Sequence, residues 1–241
     1  MRNRIGAFLL NWKEFDSPEA LAQAQADQVA EWLAGAIAEK DVASLAVSGG
    51  KTPARFFEVL STRLLDWSKV TVTLVDERFV PPSSDRSNEK LTREHLLRNE
   101  AANAHFVPLY SEVDTPEAAA EKAEYRLVEV PFPLDVAILG MGTNGHTASF
   151  FPDAESLSGL LDPKSPQTIM AVHAASAEEP RLTLTLPRIV EARHLLLHIE
   201  GDGKRDVFEQ AMAAGTPELP IRFVMDAANS EPFVYWAPNK G

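Results

Sequence analysis

Apolar residues recur along this chain with two alternating spacings. Residues 42–47 and 134–139 are short, almost unbroken apolar runs that end in serine and glycines or in glycines, as expected of strands buried on both faces. Residues 70–75 are β-branched and partly alternating, and 106–110, 168–172, 182–186, 195–199 and 233–236 add shorter strand patterns. Between them the spacing turns helical. Ser17-Pro18-Glu19 supplies a cap, a first-turn proline and an early acid for a helix over 18–40, with Leu21, Val29, Trp32, Leu33 and Ile37 as its apolar stripe. Further helices are predicted over 53–65, with Phe56, Phe57, Leu60 and Leu64 on one side, and over 88–98, 116–128 and 204–213. The first apolar run, 5–10, is cut by Asn11, Lys13 and Glu14 and has no small-residue cleavage site, so it reads as a first strand and not as a secretion signal.

Strands alternating with amphipathic helices predict an α/β fold. The expected form is a single domain over residues 1–241, with a mainly parallel, Rossmann-like β-sheet covered by helices on both faces. No repeat or low-complexity tract interrupts it, and the loop-rich stretches 81–87 and 152–166 follow strands. In such sheets ligands bind outside the carboxyl ends of the strands. The unusual residues of this chain fall there.

Composition narrows the chemistry. The chain has 241 residues, 45% of them hydrophobic, enough to fill a core. Its 23 Lys+Arg against 35 Asp+Glu leave a formal net charge of −12, which argues against nucleic acid as a partner. With no cysteine there is no disulfide framework, thiolate metal site or cysteine nucleophile. No run approaches the roughly 18 apolar residues that cross a bilayer. The expectation is a cytoplasmic protein without a membrane partner, acting as a monomer or weak homo-oligomer.

Four segments carry candidate chemistry. Ser48-Gly49-Gly50-Lys51-Thr52-Pro53 joins a strand to a helix, where glycine amides and a helix start suit an anion. It is not a nucleotide P-loop, because Leu45 stands where that motif needs glycine and Pro53 removes a donor. Asp76-Glu77-Arg78 follows a buried strand, with Ser87-Asn88 a little further on. Gly140-Met141-Gly142-Thr143-Asn144-Gly145-His146 contains a literal G-x-G-x-x-G, but Phe150-Phe151-Pro152 breaks the long helix that a dinucleotide site requires. What remains is a glycine loop presenting one histidine. Arg181 and Lys204 open a strand and a helix, and an anionic ligand of a −12 chain needs such local positive charge. No metal is expected, since His194 and His198 lie on a strand, too far apart to share an ion.

Taken together and in this order, these segments resemble the 6-phosphogluconolactonase family. The match extends through Gly145-His146-Thr147-Ala148-Ser149, Arg181-Leu182-Thr183-Leu184, Gly203-Lys204 and Pro232-Phe233-Val234-Tyr235-Trp236. The related glucosamine-6-phosphate deaminases share the fold, but their corresponding loop reads Gly-His-Ile-Ala-Phe-Asn-Glu-Pro. Here Phe151 takes the place of that acid, which favours the lactonase. One departure is Asn144, where the family commonly has Asp.

The resemblance implies hydrolysis of 6-phospho-D-glucono-1,5-lactone to 6-phosphogluconate, in the oxidative pentose phosphate pathway, without cofactor or metal. His146 is the implied general base. Asp76 orients His146 or sugar hydroxyls, and Arg78 or glycine-loop amides stabilise the oxyanion. Ser48, Gly49, Gly50, Lys51, Thr52, Asn88, Gly142, Asn144, Gly145, Arg181 and Lys204 are the implied substrate and phosphate contacts. A deaminase with Asp76 as base and a sugar-phosphate sensor are the competing readings. Residues 1–16 leave no room for the DNA-binding helices a sensor carries.

Overall fold

The computed structural model describes residues 3–5, 8–50, 52–213, 215 and 218–239. In chain order it contains β1 (Asn3–Ile5), β2 (Phe8–Glu14), α1 (Pro18–Lys40), β3 (Ala43–Val47), α2 (Ala54–Leu60), β4 (Val70–Leu74), β5 (Asp76–Arg78), α3 (Asn88–His95), β6 (His105–Val107) and α4 (Pro116–Arg126). Then follow β7 (Val136–Leu139), α5 (Leu157–Leu160), β8 (Ile169–Val172), β9 (Arg181–Leu184), α6 (Leu186–Val190), β10 (His194–Glu200), α7 (Asp202–Met212), α8 (Pro220–Ala227) and β11 (Phe233–Ala237).

The main sheet runs β1-β2-β11-β10-β7-β3-β4-β6, parallel throughout except for the antiparallel β1–β2 edge. From β3 the chain steps outward to β4 and β6, then returns to the other side of β3 as β7 and steps outward again. The direction of winding therefore reverses between β3 and β7, and a crevice opens beyond their carboxyl ends. A second, antiparallel sheet β5-β9-β8 begins one residue after β4 and stands across that end.

Side-chain alternation puts helices on both faces. Phe233 of β11 meets Trp32 of α1, with ring centroids 4.9 Å apart. Its neighbour Val234 is in register with Trp12, which packs on Phe208 of α7 at 5.8 Å. Successive residues of a strand face opposite ways, so α1 and α7 cover opposite faces. All of β3 and β7 is buried, as their nearly unbroken apolar runs require.

Long elements follow the sequence closely. Ser17 accepts from the Ala20 N–H at the start of α1 (3.2 Å), and the helix ends at Lys40 as its pattern predicts. Several ends differ. In place of the one strand expected over 5–10 stand two antiparallel strands, β1 and β2, and β2 continues to Glu14, because Trp12 turns into the core while Lys13 reaches the Tyr235 hydroxyl (2.9 Å). α2 stops at Leu60, where Ser61 and Thr62 hydroxyls donate to Glu58 and Val59 carbonyls, and Leu64 is exposed instead of joining the apolar side. Likewise α3 ends at His95 and α4 at Arg126, leaving Val128 exposed. Asp76–Arg78, placed by its sequence only as the segment after a buried strand, is itself strand β5; β8–β9 form a separate sheet; α5, α6 and α8 carried no pattern that predicted them.

One buried acid ties the amino ends of the two central strands. Asp135, 1% exposed, accepts from the Ser44 N–H (2.8 Å) and forms an ion pair with Lys40 (2.9 Å). Asp135→Ala leaves that amide without its acceptor and Lys40 without its counter-charge. The expected loss is about 2–4 kcal/mol of unfolding free energy, read by urea titration. A loss under about 0.5 kcal/mol, the size of an ordinary surface change, would contradict this account.

Candidate active site

The crevice at the β3/β7 switch is a cavity of about 310 Å³. Ser48, Gly49, Gly50, Thr52, Asp76, Arg78, Asn88, Gly142, His146, Arg181 and Lys204 all line it. Residues scattered over more than 150 positions are thus brought together. Lys51, also expected here, lies outside the described residues.

Ser48 knits the floor. Its hydroxyl donates to the Ile138 carbonyl (3.0 Å) and accepts from the Gly140 N–H (3.2 Å), tying the end of β3 to the end of β7. The next turn needs glycine twice. Gly50 has φ +92°, and an ideal Cβ on Gly49 would stand 1.7 Å from Asn88 Oδ1. Asn88 is not the cap of α3, a position taken by Ser87, which accepts from the Lys90 N–H (3.1 Å). Instead its Nδ2 donates to the Asp76 carbonyl (2.9 Å).

The histidine loop closes on itself. Gly142 N–H donates to the His146 carbonyl (2.9 Å), Gly145 N–H to the Gly142 carbonyl (3.0 Å), and Thr147 Oγ1 to the Gly140 carbonyl (2.8 Å). The imidazole lies over Gly142, where any Cβ would strike the ring. Asn144 Oδ1 accepts from the His146 backbone N–H (3.3 Å) and stands 2.5 Å from Nδ1. The backbone donor fixes which amide atom faces the ring. An amide oxygen only accepts, so Nδ1 carries the hydrogen and Nε2 the lone pair.

Phe151 backs this arrangement. Its ring stacks on His146 at 4.4 Å, and the Arg181 guanidinium lies 5.6 Å from its centroid. Burial pushes the His146 pKa below the ordinary imidazole value; Asp76 opposes this, while Arg181, Lys204 and Arg78 reinforce it. Burial likewise lowers the pKa of Lys204, against Glu200, and of Arg181, against Asp76 and Glu179. Arg181 is therefore no surface cation: only 7% of it is exposed.

Two expected roles are redistributed. Asp76 does not hydrogen-bond His146; its Oδ2 accepts from Ser149 Oγ (2.7 Å), and Asn144 orients the imidazole. Asn144 and Gly145, grouped with the substrate contacts on sequence grounds, do not line the cavity. Gly145, at φ +75°, packs on Leu219, and its carbonyl accepts from the Ile221 N–H (3.1 Å).

Other wall residues went unnoticed in the sequence. Arg86 binds Glu179 through two nitrogens (2.9 and 3.0 Å) and Glu178 through a third (2.7 Å), bridging the loop before α3 to the loop before β9. Arg78 Nη1 donates to the Arg86 carbonyl (2.5 Å). Ser176 and His198 complete the wall, with His198 Nε2 3.1 Å from Glu200 Oε1. Only the loop-rich character of 81–87 hinted at Arg86. Glu77, beside Asp76, is fully buried and faces away from the cavity. Burial pushes its carboxyl up to about 7, against the pull of hydrogen bonds from Asn88, Glu89, Arg78 and Ser87. Among the described residues no three His, Asp or Glu side chains converge on a metal position, and no helix is long and apolar enough to cross a membrane.

Known proteins share this frame. The sequence profile of the glucosamine-6-phosphate isomerases/6-phosphogluconolactonase family matches residues 16–234. A 6-phosphogluconolactonase of Rhizobium meliloti (strain 1021) is 54% identical over 229 residues, 95% of this chain and 99% of the relative. Another, of Mesorhizobium japonicum, is 54% identical over 237 residues, 98% of this chain and 99% of that one. The crystal structure of a 6-phosphogluconolactonase from Shewanella baltica OS155 superposes with a TM-score of 0.89 at 40% identity, covering 95% of this chain and 97% of its own. At such identity over nearly the whole length, the chain belongs to the glucosamine-6-phosphate isomerase/6-phosphogluconolactonase family.

Proposed function

We propose that this protein hydrolyses 6-phospho-D-glucono-1,5-lactone to 6-phosphogluconate, as a cytoplasmic enzyme of the oxidative pentose phosphate pathway. The observation that carries the reading is His146, held as a neutral imidazole with a free Nε2 in a cavity that also holds Arg78, Arg181 and Lys204. Its highly similar relatives bear the name of that activity.

A lactone is an activated ester, so one base suffices. Nε2 takes a proton from water as the water oxygen bonds to C1. The tetrahedral intermediate then collapses, the bond from C1 to the ring oxygen breaks, and the imidazolium returns its proton to that oxygen. The amides of Gly140, Gly142 and Gly145 already donate within the protein, which leaves Arg78 as the better-placed partner for the oxyanion. Arg181 and Lys204, with the Gly49–Thr52 turn, take the 6-phosphate. Asp76 holds Ser149 and opposes the depression of the His146 pKa. The deciding experiment generates the lactone from glucose 6-phosphate with a dehydrogenase and measures accelerated formation of 6-phosphogluconate. Ammonia release from glucosamine 6-phosphate, without lactone hydrolysis, would overturn the proposal.

His146→Ala should lower kcat at least about a hundredfold, the usual size of a lost general base, while product still binds. Near-normal turnover would remove His146 from the mechanism.

The base works unprotonated, and its pKa is depressed. Neutral imidazole therefore persists below about pH 6.5, the ordinary value, and its contribution to kcat/KM is lost only on further acidification. Asn144→Asp places a carboxylate on Nδ1, stabilises the imidazolium and should raise that limb by about one pH unit. Substitution identifies the limb more safely than its midpoint does, because Glu77 also titrates near neutrality. A limb that stays in place would show that His146 is not the group titrating.

Arg181→Ala and Lys204→Ala should each cost about 1.5–3 kcal/mol in binding the phosphorylated lactone and far less on unphosphorylated gluconolactone. Equal losses on both substrates would assign these cations to the fold or the carbonyl site.

A further inference from the structure

Glu77 is 0% exposed, and no step above uses it. Among the described residues no lysine or arginine lies within ion-pair distance of it. Its two oxygens are met by four donors: the N–H groups of Arg78, Asn88 and Glu89, each at 2.7 Å, and Ser87 Oγ at 3.1 Å. Two of these amides open α3, where the helix dipole also favours an anion. A buried carboxylate with every donor aimed at it holds those donors in one arrangement.

Asn88 passes that order on. Held by its own N–H, it sends Nδ2 to the Asp76 carbonyl and lays its carboxamide against Gly49, in the volume that a Cβ there would occupy. Glu77, Asn88 and Gly49 thus form a continuous support from β5, behind the cavity, to the glycine turn on its wall. Ser87, which is buried and does not line the cavity, completes the clamp.

We infer that Glu77 is a positioning residue for substrate binding: its carboxylate locks the first turn of α3 so that Asn88 holds the Gly49-Gly50 turn in its ligand-binding shape. The inference rests on the reading of that turn as part of the phosphate seat. A glutamine at 77 keeps the size but presents an NH2 group to donors that need acceptors. It therefore loosens the clamp while leaving His146 and Asn144 in place.

The experiment is steady-state kinetics on the folded, full-length protein, with thermal unfolding followed in parallel. Glu77→Gln should raise KM for the phosphorylated lactone about tenfold, equivalent to about 1.4 kcal/mol, while kcat changes much less. That split is opposite to the one expected of His146→Ala. Because the effect passes through Asn88, the double variant Glu77→Gln/Asn88→Ala should have a KM no higher than the worse single variant. Should Glu77→Gln fail to fold, Ser87→Ala removes one clamp donor, together with the cap of α3, without touching the cavity, and should raise KM a few-fold. A folded Glu77→Gln with parent KM, additive losses in the double variant, or, where Ser87→Ala stands in, a parent KM in that variant would overturn the inference. A parent protein that does not hydrolyse the lactone would instead sink the proposed function.

Discussion

Polar groups at the carboxyl ends of β3, β4 and β7 lie out of water, and each needs a partner inside the protein. Ser48 serves the Ile138 carbonyl and the Gly140 amide; Thr183 Oγ1 serves the Val75 carbonyl (3.3 Å) and accepts from the Ser149 amide (3.3 Å); Ser149 Oγ serves Asp76. These bonds also fix the loops that carry His146 and Arg78. Hydrogen-bond satisfaction and site geometry are here one set of contacts, so a change made for catalysis near this end also alters the stability of the sheet.

Charge is arranged against the trend of the molecule. A chain of net charge −12 repels an anion at long range, yet Arg78, Arg181 and Lys204 face one small cavity. Surface acids are screened within about 10 Å at 0.1 M salt. Buried and half-buried cations are screened far less, and burial lowers the pKa of both Arg181 and Lys204 because their charge lacks solvation. A phosphate dianion would supply what water does not. Glu178 and Glu179 meanwhile hold Arg86, and Glu179 also reaches Arg181 at 3.5 Å, so carboxylates pair with the cations at the rim.

Much of this was legible in the chain because local signals and tertiary demands agree. Ser17-Pro18-Glu19 starts a helix by its own hydrogen bonding, and short, nearly unbroken apolar runs such as 42–47, ended by serine and glycines, suit a strand covered on both faces. The glycine-held His146 and the cations Arg181 and Lys204 stood out for their residue types. What sequence missed depends on partners far along the chain. Asp76–Arg78 is a strand only because Arg181–Thr183 lies beside it, more than 100 residues away. Arg86 looks like loop charge until Glu178 and Glu179 fold against it. Of the two roles expected for Asp76, a hydrogen bond to His146 is not made: Asp76 is the stronger acceptor by type, but Ser149 bonds it and Asn144 is already in the loop.

Phe151 shows how one position sets the surroundings of a functional ring. An acid there, as in the deaminase loop, offers a second proton carrier beside the imidazole. A phenyl ring carries no proton; it stacks on His146, contributes to its burial and so makes the imidazolium less stable. Asn144 acts in the same sense, since a neutral amide fixes the tautomer without stabilising the positive ring as a carboxylate would. The result is a weaker base but a stronger conjugate acid. For a lactone the first property costs little, because the carbonyl is already activated towards water. The second matters more in the proposed mechanism, where the imidazolium must give its proton to a departing alkoxide. Asp76 limits the effect by drawing the pKa back up. In the proposed mechanism the balance of base against acid strength is thus set by three neighbours of one ring.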